Sequence, residues 1–361
     1  MAETLAFAAI GGLSFGLAGI PAGYLSGSIL AVAIAALSGR PMHMPAPMVR
    51  VLIVLIGTSL GAVVTPETLR GVTTYPASIA VLVAATIVIS VAGTAYLRVV
   101  HGWDRLTAYL ASVPGGLSQV MALAIEFKAD VRAIAIVQTI RVIILSVCLP
   151  ALFAALGLVA AGATGRPRPP FDGSQIRELA ILLAVSTVSA IVAHRVRFPG
   201  GLLFGAMLAS AALHGTDTLH VMMPSWVYFT VMVAFGAVSG ARFANTPVRL
   251  LLRFTGAAFG VFAVAVVITA GFAMLVLAML DVPVAEVMVA YAPGAVDAML
   301  LLALALNFDP VYVGTHHLVR IFFVMAATPL IVRMGARAKT EPPPLKPEGD
   351  SQPPRQTPFQ D

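Results

Sequence analysis

Apolar runs close to the roughly 20 residues needed to cross a bilayer recur along this chain, parted by short polar patches. They fall at about 5–20, 21–38, 47–66, 76–100 and 131–160, and again at about 176–194, 198–215, 224–244, 250–280 and 310–333. Between the fourth and fifth run of each set lies a further segment, about 105–127 and 285–307, interrupted by Pro114-Gly115 or Pro293-Gly294. The pattern predicts an all-α polytopic membrane protein with about 10–12 membrane segments.

The two sets are copies of one another. Pro45 and Pro224, Gly57 and Gly236, Pro114 and Pro293, Asp130 and Asp309, and Arg141 and Arg320 all stand 179 residues apart. "PAGYLSG" at 21–27 meets "PGGLLFG" at 199–205 with an offset of 178. The domain organisation that follows is a first membrane repeat at 1–160, a linker at 161–175, a second repeat at 176–335 and a disordered Pro-rich tail at 336–361. The linker is the one long polar interruption, and the tail is too polar and Pro-rich to pack.

Composition agrees with a membrane class: 59% of the 361 residues are hydrophobic and 11% are charged, against about a quarter charged in soluble domains. Residues 1–20 lack a basic segment and a small-residue cleavage site, so they are expected to form the first membrane helix. The single cysteine, Cys148, excludes an intramolecular disulfide and a cysteine-cluster metal site. A net charge of +6 is assigned to cytoplasmic loops rather than to nucleic-acid binding.

Charge also orients the repeats. If the Pro-Gly segments enter and leave on one side, each half has five crossings and the repeats are inverted. With the N-terminus inside, 16 basic residues then lie inside and 4 outside, with Arg141 and Arg320 left within spans. If those segments cross, the repeats are parallel and the division is 12 against 8. The positive-inside rule favours two tandem inverted repeats with both termini cytoplasmic. Inverted repeats with broken helices characterise secondary transporters, whose solute sites lie where the breaks meet.

The candidate chemistry clusters at those breaks. Pro114, Gly115 and Gly116, with Pro293 and Gly294, are expected to interrupt their helices and to start half-helices at Gly115 and Gly294 whose free N–H groups suit an anion. Arg141 and Arg320 are placed near mid-bilayer, where an unpaired guanidinium is costly and marks a site. They are assigned to an anionic solute or its counter-carboxylate, against a structural pair in which carbonyls or Asp297 satisfy Arg320. Gln138 and His317 stand one turn before the two Arg residues, and His316 falls on another face, packed apart from them. Asp297, where the first half has Ser118, is a candidate for proton or ion coupling, against a salt bridge to Arg141 or Arg320. Asp130 and Asp309 read as N-caps. Gly23/Gly27, Gly57/Gly61, Gly201/Gly205 and Gly236/Gly240 read as close helix packing, with a homodimer compatible with some of them.

The duplicated Pro-Gly, Asp and Gln/His-x-x-Arg unit, preceded by "PAGYLSGSIL" or "PGGLLFGAML", resembles the AbrB family of bacterial inner-membrane proteins. That family has carried the label of an ammonia monooxygenase and includes a protein named as a regulator of gene expression. It is distinct from the small DNA-binding AbrB of sporulating bacteria. The resemblance implies a transporter-like fold in the inner membrane. It transfers no residue roles.

Scattered histidines speak against a copper oxygenase, and the lack of a DNA-reading element speaks against a direct transcription factor. The expectation is a non-enzymatic secondary transporter of a small anionic organic solute, without cofactor or metal. Its partners are the lipid bilayer and the solute, not nucleic acid. The alternative is a membrane sensor that affects gene expression indirectly.

Overall fold

The computed structural model describes residues 1–66, 75–115, 117–159, 175–244 and 248–337. Gly116, nearly all of the expected linker and all but the first residues of the expected tail lie outside them. Residues Met1–Val324 form one compact unit, and residues from Met325 onward form a second. Everything below concerns the first.

Regular structure among the described residues is helical throughout. The first seven helices are α1 (Ala2–Leu17), α2 (Gly23–Leu37), α3 (Ala46–Gly61), α4 (Tyr75–His101), α5 (Arg105–Ser112), α6 (Leu117–Glu126) and α7 (Val131–Ala155). The next seven are α8 (Ile176–Arg195), α9 (Gly201–Gly215), α10 (Ser225–Gly240), α11 (Val248–Met279), α12 (Val284–Tyr291), α13 (Val296–Leu306) and α14 (Pro310–Arg337). Helices α5, α6 and α7 begin 179 residues before α12, α13 and α14. Among the described residues, six helices are long and apolar enough to cross a membrane: α4, α7, α8, α10 with the turn that follows it, α11 and α14. Outward-facing Val188 and Val192 on α8, and Val267 and Met274 on α11, would be untenable as a surface in water and suit lipid. The molecule is a helical membrane protein.

Local chemistry sets the helix ends. Asp104 accepts hydrogen bonds from the N–H groups of Leu106 and Thr107, and Asp130 from those of Arg132 and Ala133. Asp309 accepts from Val311 N–H at 2.8 Å. The turn into α9 uses Gly200 at φ 65°, a left-handed conformation that costs glycine little. The equivalent turn into α2 holds Ala22 at φ 52°.

Glycines then fix how the helices approach. Helix α1 packs on α2 and α8 on α9, within each half; α3 packs on α9 and α10 on α2, between halves. A Cβ on Gly27 would lie 2.2 Å from the carbonyl oxygen of Gly11, and one on Gly201 would lie 2.7 Å from backbone atoms of α8. Between halves, a Cβ on Gly57 or Gly61 would meet the carbonyl oxygen of Leu203 or Met207 at 2.3 or 2.4 Å. On Gly236 it would meet the Ser28 side chain at 2.4 Å, and on Gly240 the Ile29 carbonyl oxygen at 2.7 Å. The paired glycines therefore serve packing inside the chain. Helix α13 is buried at every residue except Asp297 and forms the middle of the core. That all-round burial explains its uninterrupted Leu/Ala sequence.

Candidate functional site

Both broken helices have the same plan. Helix α5 stops at Ser112, and Val113 turns to an extended conformation ahead of Pro114; α12 stops at Tyr291, and Ala292 does the same ahead of Pro293. Proline disfavours the helical region for the residue before it, and with a glycine after each proline both helices stop there; Pro150 and Pro329, which no glycine follows, stay inside α7 and α14. The following helices start at Leu117 and Val296, not at Gly115 and Gly294 as expected. The Pro-Gly pairs are spent on the connection itself.

A helix that stops inside a core leaves its last four carbonyls without intrahelical donors. Here Gln138 and Arg141 supply them for α5. Gln138 Nε2 donates to the carbonyls of Leu110, Ala111 and Val113 at 3.0, 3.4 and 3.1 Å. The Arg141 terminal nitrogens donate to Ser112 and Val113, and also to Gln138 Oε1. On α12, His317 Nε2 contacts the Val289 carbonyl at 3.2 Å. Arg320 donates to the carbonyls of Ala290, Tyr291 and Ala292 at 3.0, 3.1 and 2.7 Å. Each Gln/His-x-x-Arg pair thus reaches all four orphan carbonyls of its half-helix, and the cation also complements the negative end of the helix dipole.

The two Arg residues are 2% and 3% exposed, so this clamp sits deep in the protein. No carboxylate pairs with either among the described residues. Backbone carbonyls surround both instead. Only the Nε atom of each lacks a hydrogen-bond partner among the described residues.

Asp297 lies elsewhere. Its Oδ2 is 4.0 Å from Arg242 Nη2, so its ionic neighbour is Arg242 and not Arg141 or Arg320. Arg242 sits in a short 3₁₀ turn, Ala241–Phe243, directly after the tight α10–α2 contact at Gly240. Sequence reasoning passed over it because it looks like an ordinary loop cation. At 4.0 Å and partly exposed, the pair is a loose one, worth no more than about 1 kcal/mol. Arg242 Nη1 is buried and has no hydrogen-bond partner among the described residues.

A cavity of about 220 Å³ opens at this pair, lined in part by His194, Gly200, Gly201, Arg242, Val296 and Asp297. That volume equals about seven waters at their liquid share. The first residues of α9 and α13 both border it, and neither helix has a side-chain N-cap. Two uncapped N-termini and a cation with a free N–H make the cavity electropositive around a single carboxylate.

His316 packs apart from the clamp, as expected, but among polar partners. It is fully buried in a polar cluster, with Nδ1 on the Tyr312 carbonyl at 2.7 Å and Nε2 on Ser78 Oγ at 2.8 Å. Its partner Ser78 comes from α4, more than 230 residues away. No local pattern in the sequence could pair them.

The geometry defines a membrane protein built around two interrupted, internally clamped helices with a polar cavity at one of them. The family described as "Transition state regulatory protein AbrB" matches residues 2–336, and the chain belongs to that family. It is 24% identical over 321 residues to "Putative regulator AbrB" of Escherichia coli K12, covering 87% of this chain and 90% of that protein. It is 22% identical over 359 residues to "Uncharacterized protein YhjN" of Bacillus subtilis 168, covering 91% of each.

Proposed function

We propose that this protein is a secondary transporter of a small anionic organic solute, which binds in the cavity between Arg242 and the N-termini of α9 and α13. The observation that carries the reading is Arg242, which lines a cavity bordered by two uncapped helix starts and whose buried Nη1 has no hydrogen-bond partner among the described residues. The exchange of contacts between halves, α3 with α9 and α10 with α2, supports a two-fold arrangement of repeats. With the charge count, it favours inverted repeats in the inner membrane and both termini in the cytoplasm. Arg141, Arg320, Gln138 and His317 enter as clamps that hold Pro114-Gly115 and Pro293-Gly294 open, not as solute ligands. The reading assigns no catalytic step and no cofactor.

Asp297 couples the solute to protons in this scheme. One guanidinium cannot neutralise both Asp297 and an incoming carboxylate. Neutralising Asp297 frees Arg242, so binding of the anion is coupled to uptake of a compensating proton.

A thermal-shift screen of small carboxylates on purified protein tests this. The expected result is stabilisation by one or more anions, lost in Arg242→Ala. Asp297→Asn, which removes the competing carboxylate, should strengthen it. An anion response unchanged by Arg242→Ala would refute the site. The name of the Escherichia coli relative favours a second reading, a sensor that uses the same cavity without transport. Flux in proteoliposomes separates the two.

A further inference from the structure

The polar cluster at His316 has no counterpart in the first half. Glu286, Tyr291, Tyr312 and His316, with Tyr75 and Ser78 on α4, meet at one interface. Residues 179 positions away are Thr107, Ser112, Ala133, Val137, Phe254 and Ala257. The frame of the interface is kept: Asp130 N–H donates to Thr107 Oγ1 at 3.1 Å, just as Asp309 N–H donates to Glu286 Oε1 at 3.1 Å. Apart from Asp130 and the hydroxyls of Thr107 and Ser112, every group named here that can accept or pass a proton belongs to the interface of α4 with α12 and α14 and not to its counterpart. Packing alone does not require this difference, since the first copy fills the same interface with small and apolar side chains.

The hydrogen bonds have a direction. His316 Nδ1 faces a carbonyl, which can only accept, so Nδ1 carries a proton and Nε2 of the neutral ring is a base. Ser78 Oγ lies 2.8 Å from that Nε2 and 2.7 Å from Tyr312 Oη. In the neutral state Ser78 donates to His316, and Tyr312 donates to Ser78. Tyr291 donates to the Ser78 carbonyl. Tyr75 stands edge-on to Tyr312 with ring centroids 5.2 Å apart, and its hydroxyl donates to Asp309 Oδ2 at 3.0 Å. The cluster grades from half-buried carboxylates, Glu286 and Asp309, to His316 and Ser78, both inaccessible to solvent.

We infer that His316 is a proton-binding site loaded through Tyr312 and Ser78. A proton reaching Tyr312 Oη displaces that hydroxyl's own proton to Ser78 Oγ. Ser78 passes its proton to His316 Nε2. One proton enters and one resides on the ring, with both hydroxyls reversed and no other bond changed.

The loaded site acts on the break. His316 lies one helical turn before Arg320, so its charge repels the guanidinium that holds the carbonyls of Ala290, Tyr291 and Ala292. His317 is the other titratable group at that clamp, and Tyr291 links clamp and cluster through its carbonyl and its hydroxyl. The inference deepens the coupled-transport reading by naming a proton site, yet proton binding is measurable without solute.

The test is ¹⁵N-histidine NMR on the full chain in detergent, with His316→Gln to assign the ring. The expected result is an Nδ1–H tautomer at neutral pH that gains a proton at Nε2 when the folded protein is acidified. Tyr312→Phe keeps the carbonyl partner of Nδ1 and should slow proton exchange at Nε2 without changing the tautomer. Ser78→Ala should slow it further. A ring that stays neutral throughout overturns the site, and exchange unaltered in both variants overturns the relay. Arg242→Ala should leave all of these signals unchanged, so failure of the solute site and failure of the proton site are read separately.

Discussion

Arg320→Ala is expected to destabilise the protein by about 3–5 kcal/mol, the range found when a buried charged group's interactions are broken. Arg320 donates to three carbonyls at the end of α12, and no other donor to those of Ala290, Tyr291 or Ala292 is seen among the described residues. Each buried carbonyl left without a donor costs about 1–3 kcal/mol, and partial collapse or water entry returns some of that. Arg141→Ala should cost less, because Gln138 shares the Val113 carbonyl and alone serves those of Leu110 and Ala111. Lysine at position 320 should recover only part of the loss, since an ammonium lacks the planar fork that spans neighbouring carbonyls. Thermal unfolding in detergent gives the order: wild type, then Arg141→Ala and Arg320→Lys, with Arg320→Ala lowest. If Arg320→Ala unfolds like the wild type and loses only solute binding, the guanidinium is a ligand and the clamp is wrong.

The next largest effect is expected at the glycines between halves. Gly57→Ala and Gly61→Ala each place a methyl 2.3–2.4 Å from a backbone carbonyl oxygen of α9. A carbonyl in a helix cannot swing aside as a side-chain tip can, so α3 must move off α9. Overpacking of this kind costs about 1–3 kcal/mol for each substitution. The displacement should propagate, because α3 also packs against α13 and therefore borders the core helix whose start forms the cavity. Gly271→Ala is the control. Nothing lies within 4 Å of that Cβ, and α11 should gain about 0.5–1 kcal/mol from the better helix former. Equal effects at positions 57 and 271 would mean that helix propensity, not close approach, explains the glycines.

Much of this molecule is written locally. Apolar run length gives the helices, and a Pro-Gly pair after Val113 or Ala292 gives the breaks, because the steric rule acts on adjacent residues. Capping by Asp130 and Asp309 is equally local. The fixed offset between copies identifies Gln138 with His317 and Arg141 with Arg320 as matched pairs, although their use as carbonyl clamps emerges only with coordinates. A deep cation suggests a ligand to a reader of sequence, since a carbonyl end aimed at it leaves no mark in residue types.

Other features depend on elements far apart in the chain. Arg242 reaches Asp297 because the glycine contacts of α10 with α2 position the turn that carries it. His316 meets Ser78 because α4 of the first half lies against α12 and α14 of the second. The class, the helices and the two breaks are legible in residue order, as consequences of short-range sterics and of the apolar length a bilayer demands. Packing between distant helices set which cation lines the cavity, which two are satisfied by backbone carbonyls, and which histidine meets Ser78. Those assignments depend on distances between helices, which packing sets and no local pattern records.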